Sequence, residues 1–144
     1  GSTATIAQKA REINDNMPAY VAGRLKDIFD SNNKALKGSK VLMLGITYKK
    51  DVNDIRESAP IKIMKLLEDK EVILSYHDPY IKEVNIKTRT YASVPLEDMG
   101  KTRFDCIIMA VAHSLYKGYN DYNADIIFDL TNTINKDTQG LYHL

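Results

Sequence analysis

The sequence predicts an α/β fold with a mostly parallel sheet, preceded by one long N-terminal helix. Two patterns point there. Short unbroken apolar runs closed by turn residues alternate with helical stretches, and the first thirty or so residues show a sustained helical apolar periodicity.

Between Thr3 and Asp30 the apolar residues Ile6, Ala10, Ile13, Met17, Val21, Leu25 and Ile28 fall on one helical face. Pro18 lacks the amide donor for the preceding turn, so the helix is expected to bend there or to restart after Met17. A stripe of that length needs a cover, and both docking on its own domain and a helix-helix dimer contact would supply one. Ser31 to Lys34 is polar turn material and Lys37-Gly38-Ser39 is a second breaker, which places the expected domain boundary between residues 36 and 37.

Beyond that boundary, Lys40 to Gly45 is a continuous apolar run ended by glycine, as in a strand buried on both faces. Ser58-Ala59-Pro60 supplies a helix cap with proline in the first turn, and Ile61, Met64 and Leu67 follow at helical spacing. Glu71 to Tyr76 reads as a second strand closed by Asp78-Pro79, Phe104 to Val111 as a third and Asp125 to Leu130 as a fourth. Short helices are expected at Pro95 to Gly100 and from His113 to about Lys117. Parallel neighbours need crossover connections, so this alternation gives a three-layer, Rossmann-like domain.

The chain has 144 residues, 44% hydrophobic and 27% charged, which fits one domain with a real core. A formal charge of +1 creates no net field for a polyanion, so nucleic acid is not an expected partner. The lone Cys106 cannot form an internal disulfide, which fits a reducing, cytoplasmic location. No apolar stretch approaches the roughly 20 residues that span a bilayer, and no export signal is visible, so no membrane partner is expected. Gly1-Ser2 reads as the remnant of a cleaved expression tag, as if the chain were a piece of a longer protein. His77 and His113 lie at strand ends, where histidine usually serves as a loop or capping residue. Neither has companions at metal-ligand spacing, so no metal is expected. Tyr116, Tyr119 and Tyr122 are expected to serve packing or a domain interface.

In an open parallel sheet, ligands bind beyond the carboxyl ends of the strands. The loop Ile46 to Asp51 leaves the first strand at that edge. It carries the Tyr48 ring for stacking on a base or sugar and the ammonium groups of Lys49 and Lys50 for a pyrophosphate, and the N-terminus of the next helix faces the same space. The same residues also allow a bland role, with Tyr48 capping the core and both lysines solvated. A dinucleotide fingerprint needs three glycines, whereas this loop has only Gly45, so the turn is not built to admit the pyrophosphate of NAD.

The block Leu44-Gly45-Ile46-Thr47-Tyr48-Lys49-Lys50-Asp51-Val52-Asn53-Asp54-Ile55-Arg56-Glu57-Ser58 closely resembles the L-G-x-x-(F/Y)-K-x-(D/N)-x-x-D-x-R-E-S signature that opens the C-terminal domain of UDP-glucose and GDP-mannose dehydrogenases. Arg11 to Pro18 resembles the end of that family's middle domain, and its Asn16-Met17-Pro18 wording resembles the branch that oxidises UDP-N-acetylhexosamines for capsule or surface polysaccharide. Asp78-Pro79-Tyr80 and Ala110-Val111-Ala112-His113 match further landmarks in the expected order.

The resemblance implies that residues 1–36 are the end of the middle, dimerisation domain and that residues 37–144 bind a UDP-sugar. It makes Tyr48 and Lys49 substrate ligands. Arg56 is a candidate third ligand that either reaches a phosphate or pairs with Glu57 to fix the loop. It further implies an NAD-dependent parent enzyme, dimeric through the N-terminal helix, that turns a sugar C6 alcohol into a carboxylate by two hydride transfers. NAD and the catalytic cysteine would belong to parts of the parent outside this sequence. Cys106, inside an apolar strand, would be an inert core filler, and the chain alone would be inactive. The family usually carries an arginine after the last strand, whereas Asp129-Leu130-Thr131-Asn132-Thr133 has none, which puts the sugar-side contact in doubt. Two other classes of function are an interaction module acting through the Thr3 to Asp30 helix and a stand-alone nucleotide-binding regulator.

Overall fold

A computed structural model describes residues 2–144, with side chains from Asn16 onward. Helix α1 (Ser2–Ser31) leads into β1 (Lys40–Leu44), α2 (Ala59–Asp69), β2 (Ile73–His77), β3 (Glu83–Ile86), β4 (Arg89–Ala92), β5 (Phe104–Met109), β6 (Ala124–Asp129) and β7 (Leu141–His143). Five strands form one sheet in the order β2-β1-β5-β6-β7, and every neighbouring pair is parallel.

The unbroken apolar runs are explained by burial on both faces. Val41, Met43, Leu74, Tyr76, Cys106, Ile108, Ile126 and Phe128 point into a core shared with α1 and α2. The alternate residues Leu42, Leu44, Ile107, Met109 and Ile127 meet Met99, Tyr116 and Ile134 on the opposite face. That second face is covered by loops and two short 3₁₀ turns, Leu96–Lys101 and Ser114–Tyr116, where the sequence reading expected short helices. Tyr116 is a core residue, with Tyr119 and Tyr122 packed against the same cluster.

The expected helix forms, but Pro18 does not restart it: α1 runs through Pro18 as one element. The proline is itself buried, and the side chains that follow it, Val21, Leu25, Ile28 and Phe29, are sunk in the core, so packing holds the helix across the lost hydrogen bond. The stretch from Met17 therefore packs against α2 and the sheet that follow it. Ile6, Ala10 and Ile13 lie outside the residues whose side chains are described. The second strand begins at Ile73 because Glu71 adopts a left-handed turn (φ 61°) and gives its carbonyl to the Gly38 amide at 2.9 Å. Two elements escaped the sequence reading. The antiparallel hairpin β3–β4 turns through Lys87-Thr88, which lacks the usual Asn-Gly signal, and β7 is only three residues long. Among the described residues, no helix is long and apolar enough to cross a membrane.

The strand order fixes where a ligand could sit. From β1 the chain crosses through α2 to β2 on one side, then returns to place β5 on the other, so the order reverses between β1 and β5. A crevice opens at such a reversal, beyond the carboxyl ends of the two strands. Here it is partly closed. The amides of Ala110 and Val111 both turn back onto the Leu44 carbonyl, at 2.9 and 3.2 Å. A Cβ on Gly45 would lie 2.6 Å from both Val111 Cβ and Val111 O. Glycine is required twice over, since its φ is +84°. Gly45→Ala should therefore cost about 3 kcal/mol in urea unfolding, from backbone strain and overpacking together. A loss under about 1 kcal/mol would mean that Val111 can yield.

Candidate functional site

The segment leaving β1 is a closed loop. Its mouth is tied by the Tyr48 amide donating to the Asp54 carbonyl at 2.6 Å, and its exit by Ser58, whose hydroxyl donates to the Ile46 carbonyl at 2.6 Å while accepting the Ile61 amide at the start of α2. Thr47 is fully buried, whereas Tyr48 is 57% exposed and Lys49 and Lys50 are exposed beside it. The loop thus offers a ring and two ammonium groups to solvent at the carboxyl rim of the sheet, next to the strand-order reversal.

What holds the loop is a buried polar cluster behind it. The Asp51 amide donates to His113 Nδ1 at 2.9 Å, so that nitrogen carries no proton and Nε2 does. From Nε2 the proton is shared between Asp78 Oδ2 at 2.9 Å and Thr47 Oγ1 at 3.2 Å. Thr47 donates its own hydroxyl to the Lys49 carbonyl at 2.7 Å. Asp78 also accepts the amides of Ile46 and Tyr80, both at 2.8 Å. Burial alone would raise the Asp78 carboxyl, but His113 and these two amides outweigh it and hold the group below the ordinary carboxylate value. Asp51 completes the clasp, since its carboxylate accepts the Ser114 amide at 2.8 Å and the Ser114 hydroxyl.

His77 lies behind this cluster, its Nδ1 2.7 Å from the Tyr116 hydroxyl, which donates to the His77 carbonyl at 3.0 Å. Burial lowers the His77 pKa, against a smaller upward pull from Asp78. The two strand-end histidines are therefore interior hydrogen-bonding residues, at 5% and 1% exposure for His77 and His113.

Arg56 does not pair with Glu57. Its Nε and Nη2 reach the two carboxylate oxygens of Asp54, each at 3.1 Å, and its amide donates to the same group at 2.9 Å. Glu57 instead stands 3.7 Å from Lys62, one turn into α2. Side chains two positions apart meet here because Asp54 folds back over the chain that follows it in an Asx turn, its Oδ1 accepting both the Arg56 amide and Nε. Arg56 remains 87% exposed at the same rim as Tyr48.

The stretch without the expected arginine is a turn wrapped around a buried carboxylate. Asp129 Oδ1 accepts the amides of Thr131 and Asn132 at 2.9 and 3.1 Å, and Oδ2 those of Thr133 and Ile134 at 2.8 and 2.9 Å. Polar but uncharged side chains top it. Cys106 is wholly buried and burial pushes its thiol up, the opposite of an activated nucleophile. Among the described residues, no three His, Cys, Asp or Glu side chains stand together as a metal cluster. Gly45 packs against Val111, and this turn carries no further glycine of the three a dinucleotide fingerprint uses.

The sequence profile describing the UDP-glucose/GDP-mannose dehydrogenase family, UDP binding domain, matches residues 42–136. The chain is 32% identical to the UDP-N-acetyl-D-glucosamine 6-dehydrogenase of Salmonella typhi over 78% of its own length and 26% of that protein. It is 30% identical to the UDP-N-acetyl-D-mannosamine dehydrogenase of Methanococcus vannielii over 97% of its length and 31% of that protein. Among solved structures, the NDP-N-acetyl-D-galactosaminuronic acid dehydrogenase of Methanosarcina mazei superposes with a TM-score of 0.77 at 28% identity, covering 94% of this chain and 30% of that one. The chain thus spans about a third or less of the length of these relatives.

The buried cluster makes stability depend on pH in a stated direction. The His77 pKa lies below its ordinary 6.5, so as pH falls through that value the unfolded chain takes up a proton that the folded one refuses, and stability drops. Asp78 lies below its ordinary 3.8, so its contribution is complete above that value and disappears as pH falls through the lower folded value. The urea midpoint should fall in two stages on acidification. His77→Asn, which still offers a donor to the Tyr116 hydroxyl, should flatten the upper stage alone. Unchanged slopes in that variant would assign the upper stage to another group.

Proposed function

Since this chain belongs to the UDP-glucose/GDP-mannose dehydrogenase family and matches its UDP binding domain, we propose that it is the UDP-sugar-binding C-terminal part of an NAD-dependent UDP-N-acetylhexosamine 6-dehydrogenase. In this proposal residues 1–36 end the middle, dimerisation domain and residues 37–144 form the binding domain. The parent enzyme acts in the cytoplasm as a homodimer joined through the N-terminal helix, and makes UDP-uronic acids for capsule or surface polysaccharide. Two NAD in succession, each taking one hydride from the sugar C6, are held by other parts of that enzyme, so the chain by itself is inactive.

The observation that carries the site is the position of Tyr48 and Lys49, exposed on a closed loop at the carboxyl rim where the strand order reverses. Tyr48 stacks on the uracil or sugar, and Lys49 neutralises the diphosphate. Arg56 lends its free edge to the same phosphates while Asp54 orients it. These residues bind and orient, and fixing the C6 group against the nicotinamide is their contribution to rate.

The test is a titration of the chain with UDP and UDP-N-acetylglucosamine, followed through amide resonances. Tyr48 and Lys49 should shift with a weak affinity, since part of a site retains only part of the contacts but meets the whole association cost. Tyr48→Ala and Lys49→Ala should each weaken binding about tenfold, and Arg56→Ala about threefold. If millimolar UDP leaves the loop of a folded chain unmoved, the site assignment is wrong.

A further inference from the structure

Three constraints converge on Asp51, at the far end of the Tyr48–Lys49 turn. Its amide is taken by His113 Nδ1 at 2.9 Å, its carboxylate by the Ser114 amide at 2.8 Å and the Ser114 hydroxyl, and its backbone is held at φ +61°. Aspartate enters this left-handed region more readily than most side chains, and here it is tied there from both its amide and its carboxylate. At the near end, Thr47 Oγ1 lies 3.2 Å from His113 Nε2 and fixes the Lys49 carbonyl at 2.7 Å. One imidazole therefore touches both ends of the five-residue segment that presents the ring and the cation, while remaining 1% exposed and out of reach of any ligand.

We propose that His113 is a positioning residue for the nucleotide. By accepting the Asp51 amide at Nδ1 it holds the Tyr48–Lys49 turn in its binding conformation before the diphosphate arrives, while Nε2, donating to Asp78 and Thr47, anchors the ring in the core. The inference rests on the UDP-site reading above and adds the residue that sets its affinity. Its physical basis is preorganisation: a loop already ordered does not spend binding energy on ordering.

Two substitutions separate the ring nitrogens. In His113→Asn the side-chain amide ends where Nδ1 stood, so it can still accept the Asp51 amide but cannot reach Asp78. In His113→Gln the amide ends where Nε2 stood, so it still donates to Asp78 but leaves the Asp51 amide without its acceptor. Stability should favour Gln over Asn, because Asn strips a partner from a buried carboxylate.

UDP affinity should run the other way. His113→Asn should stay within about threefold of the parent chain, and His113→Gln should lose about tenfold, the scale of one hydrogen bond. Ser114→Ala, an exposed change that leaves the core intact, should lose about threefold by loosening the Asp51 carboxylate. Hydrogen exchange at the Asp51 amide should quicken in the Gln variant and not in the Asn variant.

Affinities that follow stability, or a Gln variant that binds UDP as tightly as the parent, would overturn the role of His113 and leave the site in place. A parent chain whose Tyr48 and Lys49 resonances ignore UDP would overturn the site itself, and the positioning role with it.

Discussion

Behind the exposed loop of this domain stand a carboxylate and an imidazole that do not reach solvent, Asp78 and His113, 2.9 Å apart. Everything at the rim is referred to them. Asp78 comes from the end of β2, His113 from the turn after β5, and the groups they hold belong to the loop after β1. Three segments far apart in sequence are thus pinned at one point, the place where the order of parallel strands reverses. Burying a charge there carries a desolvation cost, offset because the carboxylate accepts two amides and an imidazole proton. Removing any partner leaves the remaining charge unsatisfied, so the cluster has a strong preference for one arrangement.

That preference explains how so polar a loop can be ordered at a sheet edge. Asp51 and Glu57 both have positive φ, and neither conformation is favoured by an L-residue alone. The loop keeps them because Gly45, Thr47, Ser58 and His113 each satisfy a backbone group or a close contact that another conformation would break. Rigidity at the base and exposure at the tip are two aspects of one design: the buried groups are spent on each other, which leaves the Tyr48 ring and the lysine ammonium groups to face outward.

Apolar side chains share that rim. Tyr48, Ile55, Tyr80 and Leu115 are all substantially exposed, and Tyr80 packs edge-on against His113 at 5.1 Å between ring centroids. With a chain that spans about a third of its relatives' length, such a surface accords with the proposed role of one wall of a site completed by other parts of a larger enzyme. At the opposite rim Lys34 binds Asp105 at 3.2 Å and Asp125 at 2.7 Å, tying the chain after α1 to the starts of β5 and β6.

Sequence alone determined the elements whose signals are local. Helix α1, the cap at Ser58 and the buried strands were legible because helical and strand periodicity and proline chemistry are properties of neighbouring residues, and the motif from Leu44 to Ser58 was legible as a family signature. Only the tertiary structure decided what those residues do to one another. Pro18 reads as a break until the core that buries it is known. Lys87-Thr88 carries no turn signal, so the hairpin depends on Val84 and Ile86 finding the core. Arg56 reads as a partner for the adjacent Glu57 until the turn swings Asp54 against it, and His113 reads as a lone strand-end histidine until folding places Asp51, Thr47 and Asp78 around its two nitrogens. Hydrogen bonds between segments sixty residues apart leave no periodicity in a sequence, because their geometry exists only once the sheet has brought the loops together.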